Sequence, residues 1–434
     1  MAMEEEPGTF RFFEELPREL FFKILGYLIQ RELCLSVAPV CRDWRACARS
    51  PVFWQHLDLS EGSGGGRDVA HGELCGLLAA APSLRSLSLR GRDQLCLSEL
   101  QLLAGCPLLT RLNLGFCDKV NGRILDEVIR CCPNLEAINL EGCGQIDDDI
   151  ATQFPSLACL KVLNLSHCTK LTDDGVVRIS EGCLLLEDLN VDGIPWITDR
   201  AVKSLASERS LTLRAVYLDG AELTDLSVSY LTGCQFLGVL SVSFCEQLTD
   251  AALLMLESFN HLTYLRLKRG SEFSEEALGY FFEHGHVERL QVLDLSECPE
   301  LMNKEVSSIA HRCPNLRKLS ICWCWNVSDA GIEEIIQCCS QLRVLDIIGL
   351  DKLRGDYLVR IPEALPHLTL LDVRQCNLIE DDMLVDLVKV KPNLKIYNYS
   401  GEEVSPDIFG NNEIQCLCVG VREPDTFCHA GQLL

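Results

Sequence analysis

Twenty-five cysteines, nine histidines and 63 Asp and Glu residues raise three chemistries: disulfide bridging, metal ligation and side-chain catalysis. Metal ligation would draw on Cys416-x-Cys418 with Cys428-His429, but that spacing matches no common zinc site. The pair His284-Gly-His286 falls in the longest interval between apolar periods and reads as a surface loop. Catalysis would need an assembled set, and the chain has no Gly-rich loop ending in Gly-Lys-Ser/Thr, no His-Glu-x-x-His and no Gly-x-Ser-x-Gly. The expectation is a protein that is not an enzyme and carries no cofactor and no metal. What stands out instead is Arg266, Lys268 and Arg269, a basic cluster in an acidic chain. Near it in pattern are the aromatics Tyr217, Phe244, Tyr264 and Trp323. Arg and aromatic side chains are the usual anchors of a protein interface, and clustered cations suit an acidic or phosphorylated target.

The cysteines become intelligible once the elements that place them are read. Leu109, Leu112, Leu114 and Cys117 occupy positions 1, 4, 6 and 9 of a unit that returns at Leu135, Ile138, Leu140 and Cys143. It returns again at Leu160, Leu163, Leu165 and Cys168, and at Leu237, Leu240, Val242 and Cys245. Later copies end in Cys298, Cys324 and Cys376. First positions run from Leu84 to Leu394 in steps of 24 to 28 residues, with a mean near 26. Trp54, Leu57 and Leu59 form an earlier, irregular copy. Positions 4 and 6 alternate with polar neighbours, as a half-buried strand requires. A helix follows, opened by Leu171-Thr172-Asp173, Ile197-Thr198-Asp199 and similar triplets. There the hydroxyl reads as an N-cap and the Asp as a charge facing the helix dipole. Repeated strand–helix units with right-handed crossovers build an α/β solenoid, with a curved parallel sheet inside and helices outside. Thirteen of the 25 cysteines then fall at position 9 or three residues before position 1. They read as small buried thiols of a reducing compartment, so the expected location is cytoplasm, nucleus or both. The Asn-x-Ser matches at Asn164, Asn326 and Asn398 are then chance.

A period near 26, a Cys at position 9 and the Thr-Asp helix start resemble the cysteine-containing subtype of leucine-rich repeats. The units at 186, 213, 262 and 342 depart at position 9, with Ile194, Ala221, Gly270 and Leu350. The resemblance implies a horseshoe whose strand positions 3, 5, 7 and 8 face its inner surface. Position 5 carries Asn113, Asn139, Asn164 and Asn190, expected to be a solvated amide row. Further on, Asp188, Asp192 and Asp219 on one side and Asp294, Glu297, Asp346 and Asp372 on the other compete with any target for the basic cluster. The cluster therefore has two readings, target binding or internal ion pairing.

Net charge is −24 and the isoelectric point about 4.8, which disfavours nucleic acid, whose binding demands a basic footprint, and anionic membrane surfaces. No stretch of apolar residues is long enough to span a bilayer. Gly431 stands where a prenylation box would need Cys, so no membrane anchor is expected.

Residues 11–55 break the repeat pattern. Leu16-Pro17-Arg18-Glu19-Leu20 leads into Ile24-Leu25-Gly26-Tyr27-Leu28, then Glu32-Leu33-Cys34, and Val40-Cys41-Arg42-Asp43-Trp44-Arg45. Pro17 suits a first helical position. The helix expected from there to about Leu28 is apolar almost all round, more than one small core can cover. As a set these motifs resemble the F-box, a small three-helix module, departing from the common pattern at Arg31-Glu32. The resemblance implies docking on a Skp-type adaptor, and through it on cullin and RING subunits, by Pro17, Leu20, Ile24, Leu25, Leu28, Leu33, Val40 and Trp44. The expected organisation is an acidic leader over 1–10, an F-box over 11–55, a repeat array over 56–400 with a Gly-rich insertion at 61–67, and a cap or tail over 401–434. The functional expectation is a substrate receptor of a Skp–cullin–F-box ubiquitin ligase. The alternative is a scaffold that binds partners without promoting ubiquitination.

Overall fold

A computed structural model describes residues 16–28, 32–60, 71–79, 81–92 and 95–405. The leader, the Gly-rich insertion and the tail with Cys416, Cys418, Cys428 and His429 lie outside the described residues. The chain divides into two compact units. One holds residues up to Cys143 with Ser156–Leu160, the other Gly144–Pro155 and everything from Lys161.

The first unit opens with a short helical module. Its first helix runs over Arg18–Leu25, with Pro17 as the N-cap residue rather than the first helical one. Tighter turns carry the chain to Leu28 through bonds from Tyr27 N–H to Ile24 and from Leu28 N–H to Leu25. A wide helical turn over Leu33–Val37 follows, closed by Ala38 N–H on the Leu33 carbonyl. The third helix is Arg42–Ala48, with the Cys41 sulfur accepting from Trp44 N–H as its cap. Phe21, Leu25, Leu33, Val37 and Ala48 form the module's own core, with Leu16, Leu28, Trp44 and Phe53 packed against it. The Phe21 and Trp44 rings lie 5.0 Å apart. Trp54 is buried, and its indole N–H donates to Ala48 O at 2.6 Å, which fixes the chain's exit from the module. Four parallel strands follow in sequence order: β1 (His56–Asp58), β2 (Ser86–Ser88), β3 (Arg111–Asn113) and β4 (Ala137–Asn139).

In the second unit the parallel order continues from β5 (Val162–Asn164) through β6 (Asp188–Val191), β7 (Ala215–Asp219), β8 (Val239–Ser243) and β9 (Tyr264–Leu267). It ends with β10 (Val292–Asp294), β11 (Lys318–Ser320), β12 (Val344–Asp346), β13 (Leu370–Asp372) and β14 (Lys395–Tyr397). Parallel neighbours paired in chain order, with a helix or helical turn between successive strands, are an α/β solenoid. Positions 1, 4 and 6 are buried in every unit from Leu84 to Leu368, as at Leu290, Leu293 and Leu295; in the last unit Ile396 rather than Tyr397 takes the buried place opposite Leu371.

Polar groups set the stacking of repeats. Most position-9 thiols reach back one unit, while Cys245 donates to Val242 O of its own unit at 3.1 Å. Cys298 donates to Leu267 O at 3.4 Å, Cys324 to Leu295 O at 3.2 Å and Cys376 to Ile347 O at 3.1 Å. A buried carbonyl without a donor is costly, and a small side chain with a weak S–H donor fills the space and meets it. Burial pushes the Cys324 thiol up to about 12 and Cys376 to about 11, so both stay protonated donors.

The Thr-Asp triplets do more than the sequence reading allowed. Thr172, Thr198, Thr224 and Thr249 do cap their helices. Each Asp that follows, however, clasps the cap of the next repeat. Asp173 accepts from Thr198 N at 2.8 Å and Oγ1 at 2.6 Å, Asp199 from Thr224 at 3.0 and 2.6 Å, and Asp225 from Thr249 at 2.8 and 2.7 Å. Asp250 holds Ser274 in the same way. The acidic residue is thus an inter-repeat clamp as well as a dipole partner.

The position-5 row also departs from expectation. Asn139, Asn164 and Asn190 are buried rather than solvated. Each side-chain oxygen accepts from the N–H two residues on, at 2.8 Å for Glu141, 2.9 Å for Ser166 and 3.0 Å for Asp192. These Asx turns end the strand and lead to position 8, where Phe116, His167, Phe244, Arg269, Glu297, Trp323 and Gln375 take positive φ. Tyr217 occupies position 5 in β7 and has no such acceptor. There the strand runs two residues further, and Asp219 makes the turn with Ala221 N–H at 3.0 Å.

Candidate functional site

Two surfaces qualify, one in each unit. In the helical module the sequence-expected residues separate into two groups. Leu20 is 47% exposed, Ile24 44% and Val40 57%, and Tyr27, which the sequence reading did not select, is 89% exposed. Leu20, Ile24 and Tyr27 follow the i, i+4, i+7 spacing of one face, about 100° round from the face that carries Phe21 and Leu25 into the core. Pro17 is exposed at the start of the same helix. Leu25 and Leu33 are 2% and 1% exposed, so the surface role expected of them is corrected: they hold the module together. Leu28 and Trp44 are half-buried and pack on that core. Arg45 ties its helix to the preceding turn through Nε on Ala38 O at 3.0 Å.

The second surface is the helix-free face of β6–β13. Arg266 Nε lies 3.2 Å from an Asp294 oxygen and Nη1 4.0 Å from Asp192. Lys268 pairs with Glu297 at 3.2 Å. Arg269 Nε reaches Glu297 at 2.7 Å and Nη1 reaches Glu246 at 3.7 Å, while its guanidinium stacks 4.7 Å above the Phe244 ring. Burial pulls Glu297 upward, but Arg269 and Lys268 outweigh it and hold it below the ordinary carboxylate range. Of the two readings of the cluster, internal pairing is the one the geometry supports. The face also carries carboxylates held high. Burial, reinforced by Glu187, pushes Asp188 up to about 7. Burial likewise raises Asp192 against the opposing pull of Arg266, and raises Asp219 and Asp346.

The aromatics divide as well. Tyr217, at 8% exposed, is buried and lies edge-on to Tyr264 with centroids 6.0 Å apart, so it supports the face rather than offering contact. Phe244 and Trp323 are exposed, both at the positive-φ position 8. Trp323 lies over the position-8 glycine of the next unit: a Cβ on Gly349 would come within 2.3 Å of its ring. Gly193 stands in the same relation to His167. Gly142, Gly193 and Gly349 each follow a ring at position 8 that occupies the space a side chain would need, whereas Phe244, Arg269, Glu297 and Trp323 succeed one another without a glycine. That signal was present in the sequence as Gly at 142, 193 and 349 but went unused. Trp196 and Trp325, exposed in the loops beyond, were also missed. His284 ends the helix Glu275–His284 with its ring 4.4 Å from Tyr280, and both it and His286 are exposed.

Comparison with known proteins agrees with this division. An F-box-like family model matches residues 13–60, and a leucine-rich-repeat model matches residues 156–180. F-box/LRR-repeat protein 4 of Bos taurus is 26% identical over 253 residues, 45% of this chain and 40% of that protein. The DNA repair protein rhp7 of Schizosaccharomyces pombe is 29% identical over 195 residues, 42% of this chain and 34% of that protein. The match to these relatives therefore spans well under half of their length. The crystal structure of the Rad7 and Elc1 complex in yeast has the same fold, with a TM-score of 0.59 and 20% identity over 90% of this chain and 93% of that one. The matched features are an F-box-like segment ahead of leucine-rich repeats. In its F-box-like segment and its repeats the chain is similar to F-box/leucine-rich-repeat proteins.

Proposed function

We propose that this protein is the substrate-recognition subunit of a Skp–cullin–F-box ubiquitin ligase. The observation that carries the reading is the apolar stripe of Leu20, Ile24 and Tyr27, left outside a core that is already complete. Burying a Leu or Ile contributes about 1.5–3 kcal/mol, so three such side chains suffice for a firm complex with a Skp-type adaptor after association costs. Cullin and RING subunits follow through that adaptor. The protein is then no enzyme itself: it brings a target to chemistry supplied elsewhere, and the rate gain is one of proximity. The related fold of Rad7 was solved in complex with Elc1, which makes an Elc1-like protein the second candidate for the same stripe.

The target binds on the helix-free face, around Phe244, Trp323 and the outer edge of the Arg269 side chain. Since Arg266, Lys268 and Arg269 already have carboxylate partners, an acidic or phosphorylated segment gains there only by displacing Glu246 or Glu297. Cytoplasm or nucleus is the proposed location, because the stacking of repeats uses cysteines as S–H donors and oxidation would remove them. In cells, proteins captured by a form carrying Leu20→Asp and Ile24→Asp should be longer-lived than with the wild type. Captured partners whose turnover is the same with both forms would replace the receptor reading by the scaffold one.

A further inference from the structure

We propose that His311, Glu334 and Cys338 form a zinc-binding site on the helical side of the second unit. Among the described residues they are the set of His, Cys, Asp and Glu whose ligand atoms converge, all within 4.8 Å of one another. His311 lies in the last turn of the helix Asn303–Arg312. Glu334 and Cys338 stand four residues apart, and so on one face, in the helix Asp329–Cys338 of the next repeat. His311 Nε2 is 3.8 Å from a Glu334 carboxylate oxygen and 3.9 Å from Cys338 Sγ. Zinc bonds of about 2.0–2.3 Å at tetrahedral angles put ligand atoms about 3.3–3.6 Å apart. The two distances to His311 are open by only a few tenths of an ångström and no separation in the set exceeds 4.8 Å; His311 is exposed and Glu334 half-buried, so side-chain rotation can close it.

The histidine is also pre-oriented. Its Nδ1 lies 2.8 Å from Ser307 O. A carbonyl can only accept, so Nδ1 carries a proton, and in the neutral ring the Nε2 lone pair faces Glu334 and Cys338. This is the outer-shell arrangement that fixes a metal-ligating imidazole. In that tautomer the Cys338 S–H, 3.9 Å away, is the donor that faces Nε2, and a cation would take the place of its proton. On binding, Cys338 gives up its S–H proton to solvent. Thiolate and carboxylate then neutralise the divalent charge, and imidazole joins as a neutral ligand. With three protein ligands the fourth position is open and taken by water.

The test uses the full chain, reduced and stripped with chelator, titrated with Co2+ and then with Zn2+ against a chromophoric chelator. The site predicts one equivalent of tetrahedral Co2+ with a thiolate charge-transfer band, displaced by Zn2+. His311→Ala and Cys338→Ser should each weaken Zn2+ by at least about 100-fold, the upper range for loss of an outer-shell partner alone, with unchanged circular dichroism. Cys338→His should restore binding, and Cys416→Ser with Cys428→Ser should leave it intact. The proposal is overturned if wild type shows no stoichiometric site, or if His311→Ala and Cys338→Ser bind as wild type does.

Discussion

Replacing Asp199 separates two accounts of the repeated acidic residue. If it only complements the helix dipole, Asp199→Ala and Asp199→Asn each cost the same, about 0.3–1 kcal/mol. The structure gives it three further tasks. It accepts from Thr224 N at 3.0 Å, from Thr224 Oγ1 at 2.6 Å and from the Ser227 hydroxyl. A hydrogen bond to a charged group contributes about 1.5–3 kcal/mol. Asp199 is half-buried, so water recovers part of each loss, and Asp199→Ala should cost about 2–4 kcal/mol. Asp199→Asn keeps an acceptor for Thr224 N–H and should lose about half as much. Asp174, exposed and paired only across the surface with Arg200, is the control: Asp174→Ala should cost under about 1 kcal/mol. Urea unfolding followed by circular dichroism measures all three as midpoint shifts at constant slope. Equal costs for the Ala and Asn forms of residue 199, or an Ala cost within about 0.5 kcal/mol of zero, would refute the clamp.

Two further outcomes follow from the helix-free face. Asp188 has its folded pKa raised to about 7 by burial and Glu187, against about 3.9 when unfolded. Between these values the native state holds the proton that the unfolded state has released, so this residue's contribution to stability falls as pH rises through that window and levels off above it. Asp188→Asn should therefore stabilise the protein more at pH 7.5 than at pH 4.5, as thermal midpoints would report; an equal effect at both would be inconsistent with the buried carboxyl. Gly349→Ala places a methyl group within 2.3 Å of Trp323 at a φ of 73° and should destabilise by about 1–3 kcal/mol, with a change in tryptophan fluorescence. Pairing it with Trp323→Ala should remove most of the added cost, because neighbouring repeats tolerate larger residues at positive φ.

The solenoid was legible because its signal is periodic: Leu at positions 1, 4 and 6 points one way in every copy, and one misread unit is outvoted by its neighbours. The F-box was legible as a motif, but its residues divide between core and surface by helical phase, and a sequence match cannot assign phase. Leu25 and Ile24 are adjacent and equally apolar, yet one is buried and the other is not. The Asn row and the Asp clamps were misjudged for a shared reason. Both bond across turns or repeats, at separations that no local pattern registers. The convergence of His311 with Glu334 and Cys338 arises from repeat stacking across about one period and could not be seen before the helices were placed.

The central claim is that the outward stripe of the F-box helix holds the adaptor, and direct titration tests it. Purified full chain and its Leu20→Asp, Ile24→Asp double variant would each be titrated with a purified Skp-type adaptor by calorimetry. With about 1.5–3 kcal/mol from each side chain, the variant should bind about 10²- to 10⁴-fold more weakly at about 1.4 kcal/mol per tenfold, with its repeats still folded by circular dichroism. A folded variant that binds as tightly as wild type, or a wild type that does not bind the adaptor, would contradict the account.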